Sequence, residues 1–190
     1  PSLVFPDLIN GWYLFAALPY LLSIGADPVK KDILMLWNAL HIACSEGKTT
    51  CVQDIVEKHP ELIDLRTNEG FSPTYIGALN GKEGVVRMLL KNGASVNVLD
   101  ENGCSPLMAA VIGNHTDICE ELIRYDALIE QTNALGLRAL HVGAMAGKAG
   151  AVRWLLINGA DGGAESADGL IALEMATDRH HKDCVFWLEH

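Results

Sequence analysis

Residues 68–97 read NEGFSPTYIGALNGKEGVVRMLLKNGASVN, from Asn68 to Asn97. A turn glycine opens this stretch, a short apolar helix follows, and a second glycine-bearing turn leads to another apolar helix and a closing Asn-Gly-Ala. The same order recurs along the chain. Gly70, Gly103, Gly136 and Gly169 lie 33 residues apart. A period of that length means stacked structural repeats and decides the architecture before any single residue is interpreted.

The first helix keeps its register. Four residues after three of the turn glycines stand Leu107, Leu140 and Leu173, with Thr74 in the earlier copy and Leu40 at the matching place before that. Two copies begin with Ser-Pro, at Ser72-Pro73 and Ser105-Pro106. A serine hydroxyl caps a helix, and proline suits the first turn, where no amide donor is needed. In the second helix Leu89-Leu90, Leu122-Ile123 and Leu155-Leu156 recur, preceded by Ile55-Val56. Four residues upstream of the first member come Cys51, Val85, Ile118 and Ala151, and Cys184 continues the row. Apolar residues at i and i+4 form the buried stripe of an amphipathic helix. Each copy closes on Gly93-Ala94, Asp126-Ala127 or Gly159-Ala160.

The period, the G-x-S/T-P-L-like opening, the small residue midway through the first helix and the LLxxGA closing resemble ankyrin repeats. The resemblance covers about residues 12–190 and is strongest from 38 to 161. It implies an all-α ankyrin-repeat solenoid of antiparallel helix pairs with β-hairpin-like finger loops. The expected organisation is one domain, 1–190, with repeats at 1–31 (degenerate), 32–65, 66–98, 99–131, 132–164 and 165–190 (truncated). Leu36 replaces the turn glycine of the second copy, His59-Pro60 its closing Gly-Ala, and Ile171-Ala172 the Thr-Pro of the last.

The uncharged segment Leu8–Ile24 raises a membrane reading. It has 17 residues and contains Asn10, Gly11 and Pro19, whereas a span needs about 20 mostly apolar residues. No basic region precedes it, so a signal peptide also fits poorly. Leu21-Leu22-Ser23-Ile24-Gly25-Ala26-Asp27 parallels Leu155–Asp161, which makes the segment a worn first repeat. The chain begins with Pro1 rather than Met, the expectation being a piece of something longer.

The composition is 49% hydrophobic and 20% charged, with a formal net charge of −10. Such a chain buries a core, and its acidity disfavours binding to nucleic-acid phosphates. Five cysteines without paired close spacing point to a reducing compartment, hence a cytoplasmic or nuclear location. Asn114-His115-Thr116 matches the N-glycosylation pattern, which counts only in the secretory pathway.

Little chemistry is legible. His41 and His141 occupy the place of the histidine in the resembled TPLH motif, which implies a hydrogen bond between adjacent units rather than a catalytic base. His180, His181, Cys184 and His190 are the nearest approach to a metal cluster, with His180 and Cys184 i, i+4 neighbours on a helix, but Cys184 falls on the core stripe. Gly47-Lys48-Thr49 is a fragment of a phosphate-binding pattern at a repeat turn, matched by Gly81-Lys82 and Gly147-Lys148. No catalytic residue, metal or cofactor is expected.

The resemblance implies a concave face lined by the first helices. By register this carries Ile42, Ser45 and Glu46; Ile76, Leu79 and Asn80; Ala109, Ile112 and Gly113; Val142, Met145 and Ala146; and Met175, Asp178 and Arg179. Phe71, Leu137 and Leu170 lie near its rim. Exposed apolar strips mark binding sites, and the alternative, burial of some of these side chains by neighbouring helices, stays open. The fingers carry Glu69, Asp100, Glu101, Glu130, Asp161, Glu165 and Asp168, with Arg66 as a cation. The expected function is a non-catalytic protein–protein interaction module. It would bind, without membrane insertion, a partner with an apolar anchor and a basic rim through Phe71, Ile76, Leu79, Asn80, Glu101, Ile112, Val142 and Met145. The other reading is a regulatory or scaffold segment of a larger enzyme or channel. Asn97 matches the frame in which the resembled family is hydroxylated on asparagine, although Ser95 replaces the preferred acid; a hydrogen-bonding turn residue is the alternative.

Overall fold

The structure is a computed structural model that describes residues 39–190. The expectations for repeat 1–31 and for Leu36 fall outside these residues. Among the described residues ten α-helices follow one another as α1 Ala39–Glu46, α2 Thr49–Lys58, α3 Pro73–Leu79, α4 Glu83–Lys91, α5 Pro106–Gly113, α6 Thr116–Arg124, α7 Ala139–Met145, α8 Ala149–Ile157, α9 Ala172–Asp178 and α10 Lys182–Glu189. A 3-10 turn, Pro60–Leu62, follows α2. Odd-numbered helices stack in an inner row and even-numbered ones in an outer row, each touching its nearest neighbours. Such an array is stabilised by interfaces between adjacent repeats.

The apolar pattern goes where its period sends it. Ile55, Leu89, Leu122 and Leu155 of the outer helices are fully buried, as are Leu40 and Leu107 of the inner ones. Each such leucine contributes roughly 1.5–3 kcal/mol on leaving water. Cys51, Val85, Ile118, Ala151 and Cys184 form the predicted buried row.

Ser72 and Ser105 cap as read: their Oγ atoms accept from Tyr75 N–H at 3.1 Å and Met108 N–H at 3.3 Å. Where Ser-Pro is missing, the bond runs backward. Arg138 N–H donates to His141 Nδ1 at 3.1 Å, and Ile171 N–H donates to Glu174 Oε2 at 3.0 Å. Either direction satisfies a first-turn donor that the helix cannot.

The fingers are tight hairpins. The N–H groups of Thr67, Asp100, Asn133 and Ser166 donate to the carbonyls four residues on, at 2.9–3.0 Å. Their side-chain oxygens accept from the N–H of Phe71, Cys104, Leu137 and Leu170. Gly70 and Gly103 have φ of +82° and +76°, and a Cβ on either would lie within 3 Å of the next finger's backbone. Both the conformation and the close approach require glycine.

Candidate functional site

The inner helices present three parallel rows, and the structure separates them. In the first row Ile76, Ala109 and Met175 are buried, Ile76 being 2% exposed, while Ile42 and Val142 are half-buried. Ile76 therefore does not belong to an exposed strip. Its side chain packs with Leu40, Val85 and Leu89, because the stacked inner helix of the preceding repeat covers this side of α3. Ala109 is closed over in the same way between α3 and α7.

The second row remains accessible. Leu79, Ile112 and Met145 are half-buried, at the last turns of α3, α5 and α7, with Ser45 and Asp178 at its ends. Beside it runs a row of short side chains, Asn80, Gly113 and Ala146, between Glu46 and Arg179. Asn80 is exposed, and its Nδ2 donates to Ile76 O at 2.9 Å. The surface of the inner helices is thus an apolar ridge three repeats long, with a low shoulder on its turn side.

Phe71 is half-buried and stacks on Tyr75, with ring centroids 4.8 Å apart and planes 9° apart, so it anchors the base of its finger. Tyr75 holds the place taken by His41 and His141 in other repeats. Burial, and next the Asp100 carboxylate beside it, pushes the Tyr75 hydroxyl well above the usual phenol range. Asp100 is itself buried, and its Oδ1 accepts from Asn102 N–H at 2.9 Å and Cys104 N–H at 2.7 Å. The expected acidic surface loses Asp100 for that reason. Glu69, Glu101, Asp161, Glu165 and Asp168 are exposed, whereas Glu130 Oε2 pairs with Arg138 Nε at 2.9 Å. Arg66 Nη1 donates to Leu99 O in the next finger at 2.9 Å.

The histidines do structural work. His41 Nε2 donates to Leu65 O at 2.6 Å and His141 Nε2 to Ala164 O at 2.9 Å, each tying an inner helix to the segment that leads into the following finger. Because His141 Nδ1 accepts from Arg138, its proton resides on Nε2. Burial holds the His141 pKa below its ordinary value.

His180 and Cys184 are not helical neighbours: His180 has φ +60° in the turn, and α10 begins at Lys182. Cys184 is buried, while His181 Nε2 lies 3.1 Å from Met145 O in the preceding repeat. Among the described residues no group of three or more His, Cys, Asp or Glu is placed to hold a metal ion. Among the same residues no helix is long and apolar enough to cross a membrane.

Three features escaped the sequence reading. Asp64 Oδ1, Asn97 Oδ1 and Glu130 Oε1 accept from the N–H groups of Ser95, Leu128 and Asp161, at 3.0–3.1 Å, so each repeat clasps the closing loop of the next. Asn97 also donates from Nδ2 to Asp126 O at 3.1 Å, leaving neither end of its amide idle. Along the outer row, Arg87 Nε lies 3.4 Å from Glu121, and the Arg153 guanidinium sits 4.7 Å above the Trp187 ring, both pairs one repeat apart. Large apolar side chains also stand in water away from the inner-helix ridge, notably Leu135 at a fingertip, 64% exposed, and Ile157 at the end of α8, 71% exposed.

Comparison with known proteins agrees with this geometry. A family model described as ankyrin repeats in three copies matches residues 10–100, 78–166 and 107–189. The chain is 28% identical to the B-cell lymphoma 3 protein homolog of Mus musculus over 169 residues, which is 87% of this chain and 38% of that protein. It is 28% identical to the transient receptor potential cation channel subfamily A member 1 homolog of Caenorhabditis elegans over 146 residues, 77% of this chain and 12% of the channel. It is also 28% identical over 153 residues to the nuclear factor NF-kappa-B p105 subunit of Gallus gallus, 76% of this chain and 16% of that protein. The chain thus spans less than two fifths of each relative. With the family model covering most of the residues from 10 to 189, and the stacked helix pairs and hairpin fingers in place, the chain belongs to the ankyrin-repeat family.

Proposed function

We propose that the chain is a non-catalytic binding module whose concave ridge, Leu79, Ile112 and Met145 with Val142 beside it, takes the apolar anchor of a partner protein. Ankyrin repeats mediate protein–protein interaction as a class. The observation that carries the finer reading is the ridge itself: three large apolar side chains in three successive repeats keep part of their surface in water, while Ile76 and Ala109 in the row beside them are buried. A contiguous apolar patch with polar borders favours a partner. Because the repeats are already stacked, little ordering accompanies binding, and a few central anchors carry most of the energy.

The exposed fingertip acids Glu69, Glu101 and Asp168 supply the second element. They speed the approach of a partner whose rim is basic, chiefly through the association rate, and salt suppresses that effect.

The test is the pair Leu79→Asp and Ile112→Asp in one protein, compared with wild type in affinity capture and in thermal melting. The expected result is loss of capture with a native circular dichroism spectrum. Capture at the wild-type level by a folded variant would rule out the ridge. If the double variant unfolds, Met145→Lys, at the end of α7, repeats the comparison with one substitution.

A second reading keeps the same surface but places it inside a larger protein, as a regulatory or scaffold segment of an enzyme or channel. The short share of each relative that the chain spans, 12% for the channel homolog, favours it. The full-length gene product decides it, by what else the chain carries.

A further inference from the structure

Five Asn–Gly dipeptides occur in the chain, and Asn10–Gly11 lies outside the described residues. In such pairs the glycine amide can attack the asparagine side chain, because no Cβ hinders its nitrogen. The other four occupy two kinds of site. Asn80, Asn92 and Asn158 each follow the last turn of a helix. Their Nδ2 atoms donate to the carbonyls of Ile76, Met88 and Trp154, four residues back, at 2.9, 2.8 and 2.8 Å. The side-chain carbonyl carbon is then held toward the helix end.

Asn102 is different. It is exposed at a fingertip, and among the described residues no side-chain hydrogen bond holds its amide. Its main chain is fixed by the N–H donated to Asp100 Oδ1 and by the carbonyl that accepts from Ala134 N–H at 2.8 Å.

All four glycine N–H groups donate to a carbonyl three residues back, so that bond does not separate them. The freedom of the side chain does.

We infer that, among the described residues, Asn102–Gly103 is the site of spontaneous deamidation in the folded protein, converting one fingertip to aspartate or isoaspartate. The Gly103 nitrogen loses its proton and bonds to Asn102 Cγ; the Cγ–Nδ2 bond breaks, and ammonia leaves. Water then opens the succinimide, at Cγ to give aspartate or at the main-chain carbonyl to give isoaspartate.

Both products add a negative charge next to Glu101, on an edge that already carries exposed Glu69 and Asp168. Isoaspartate does more. The Asn102 carbonyl leaves the main chain and becomes the free carboxylate, so the rung from Ala134 N–H is displaced and the two fingers lose their register. The folded state thereby selects which of four equal dipeptides ages, and the one it selects lies on the finger edge.

The experiment is native protein held warm at mildly alkaline pH, digested at intervals, with the four peptides followed by mass spectrometry that separates aspartate from isoaspartate. Asn102 should convert several-fold faster than Asn80, Asn92 and Asn158. In guanidinium, where the hydrogen bonds are gone, the four rates should converge. Native conversion of any of the other three as fast as Asn102, or an order in guanidinium unchanged from the native one, would overturn the assignment.

Discussion

The amide of Glu101 donates to the carbonyl of Glu69 at 3.1 Å, one repeat earlier, and Ala134–Asn102 and Ala167–Leu135 repeat that bond at 2.8 and 3.2 Å. The fingers are therefore a ladder rather than separate loops, and the turn glycines are its clearance. Gly70 and Gly93 make a matched pair, both left-handed, with φ of +82° and +88°. A Cβ at Gly70 would stand 2.7 Å from Glu101 N, whereas at Gly93 it would meet nothing within 4 Å. Gly93→Ala should cost about 1–2 kcal/mol, the left-handed penalty alone. Gly70→Ala should cost about 1–3 kcal/mol more, because backbone must shift. Urea denaturation of the two variants checks the difference.

Asn97 joins its repeat to the next through both ends of one amide, to Leu128 N–H and Asp126 O. Asn97→Ala removes both bonds, with an expected loss of about 1–2 kcal/mol. The loss should be local. Hydrogen exchange at the Leu128 amide should speed up, while the amides within α3 keep their protection. A uniform rise across the chain would mean that the clasp does not act at this joint.

What could be read beforehand and what could not divide along physical lines. The 33-residue spacing, the left-handed glycines and the serine caps were legible because each depends on a residue type that only one local geometry favours. The all-α solenoid followed from them. Ile76 was misread because helical register says which way a side chain points, while the helix stacked upon it decides whether water reaches it. The clasp was hidden because Asp64, Asn97 and Glu130 share only an acceptor oxygen, a weak signal among three residue types. Asn114 and His180 masked their turns in a similar way: both hold φ of +60° where other repeats have glycine. Asn114 also has a task of its own, since its Oδ1 accepts from Ala151 N–H at 2.9 Å in the next repeat.

His141 makes stability depend on pH. Burial lowers its folded pKa below the ordinary 6.5, so the folded state favours the neutral ring. Above about pH 6.5 both states are neutral and the full stability is present. As pH falls below that value the unfolded chain takes up the proton first, and stability drops until the folded ring also titrates. His141→Gln should flatten this fall relative to wild type. His141→Ala, which leaves Ala164 O and Arg138 N–H without partners, should cost about 2 kcal/mol at neutral pH. Denaturation curves of the three proteins across the acid range check both the sign and the size.

The cysteines offer a chemical reading of the core. Burial pushes the Cys119 thiol up to about 12, and it drives Cys44 beyond the ordinary thiol range as well. Only the thiolate is nucleophilic, so these two should resist alkylation until the repeat that covers them opens. Cys104 is half-buried at a finger base, with Asn133 Nδ2 3.7 Å from its sulfur. Burial raises its pKa too, while the Asn133 bond opposes that rise. Under native conditions iodoacetamide should therefore label Cys104 before Cys119 and Cys44, as read by peptide mass spectrometry. Asn133→Ala should slow the Cys104 reaction if the thiolate depends on that bond, although the same change also removes the acceptor that orders the finger. Asn133→Asp separates the two effects. It keeps an oxygen for Leu135 and Leu137 N–H but replaces the donor near sulfur with a negative charge. A folded Asn133→Asp protein should label more slowly than wild type, and equal labelling would remove Asn133 from the chemistry of Cys104.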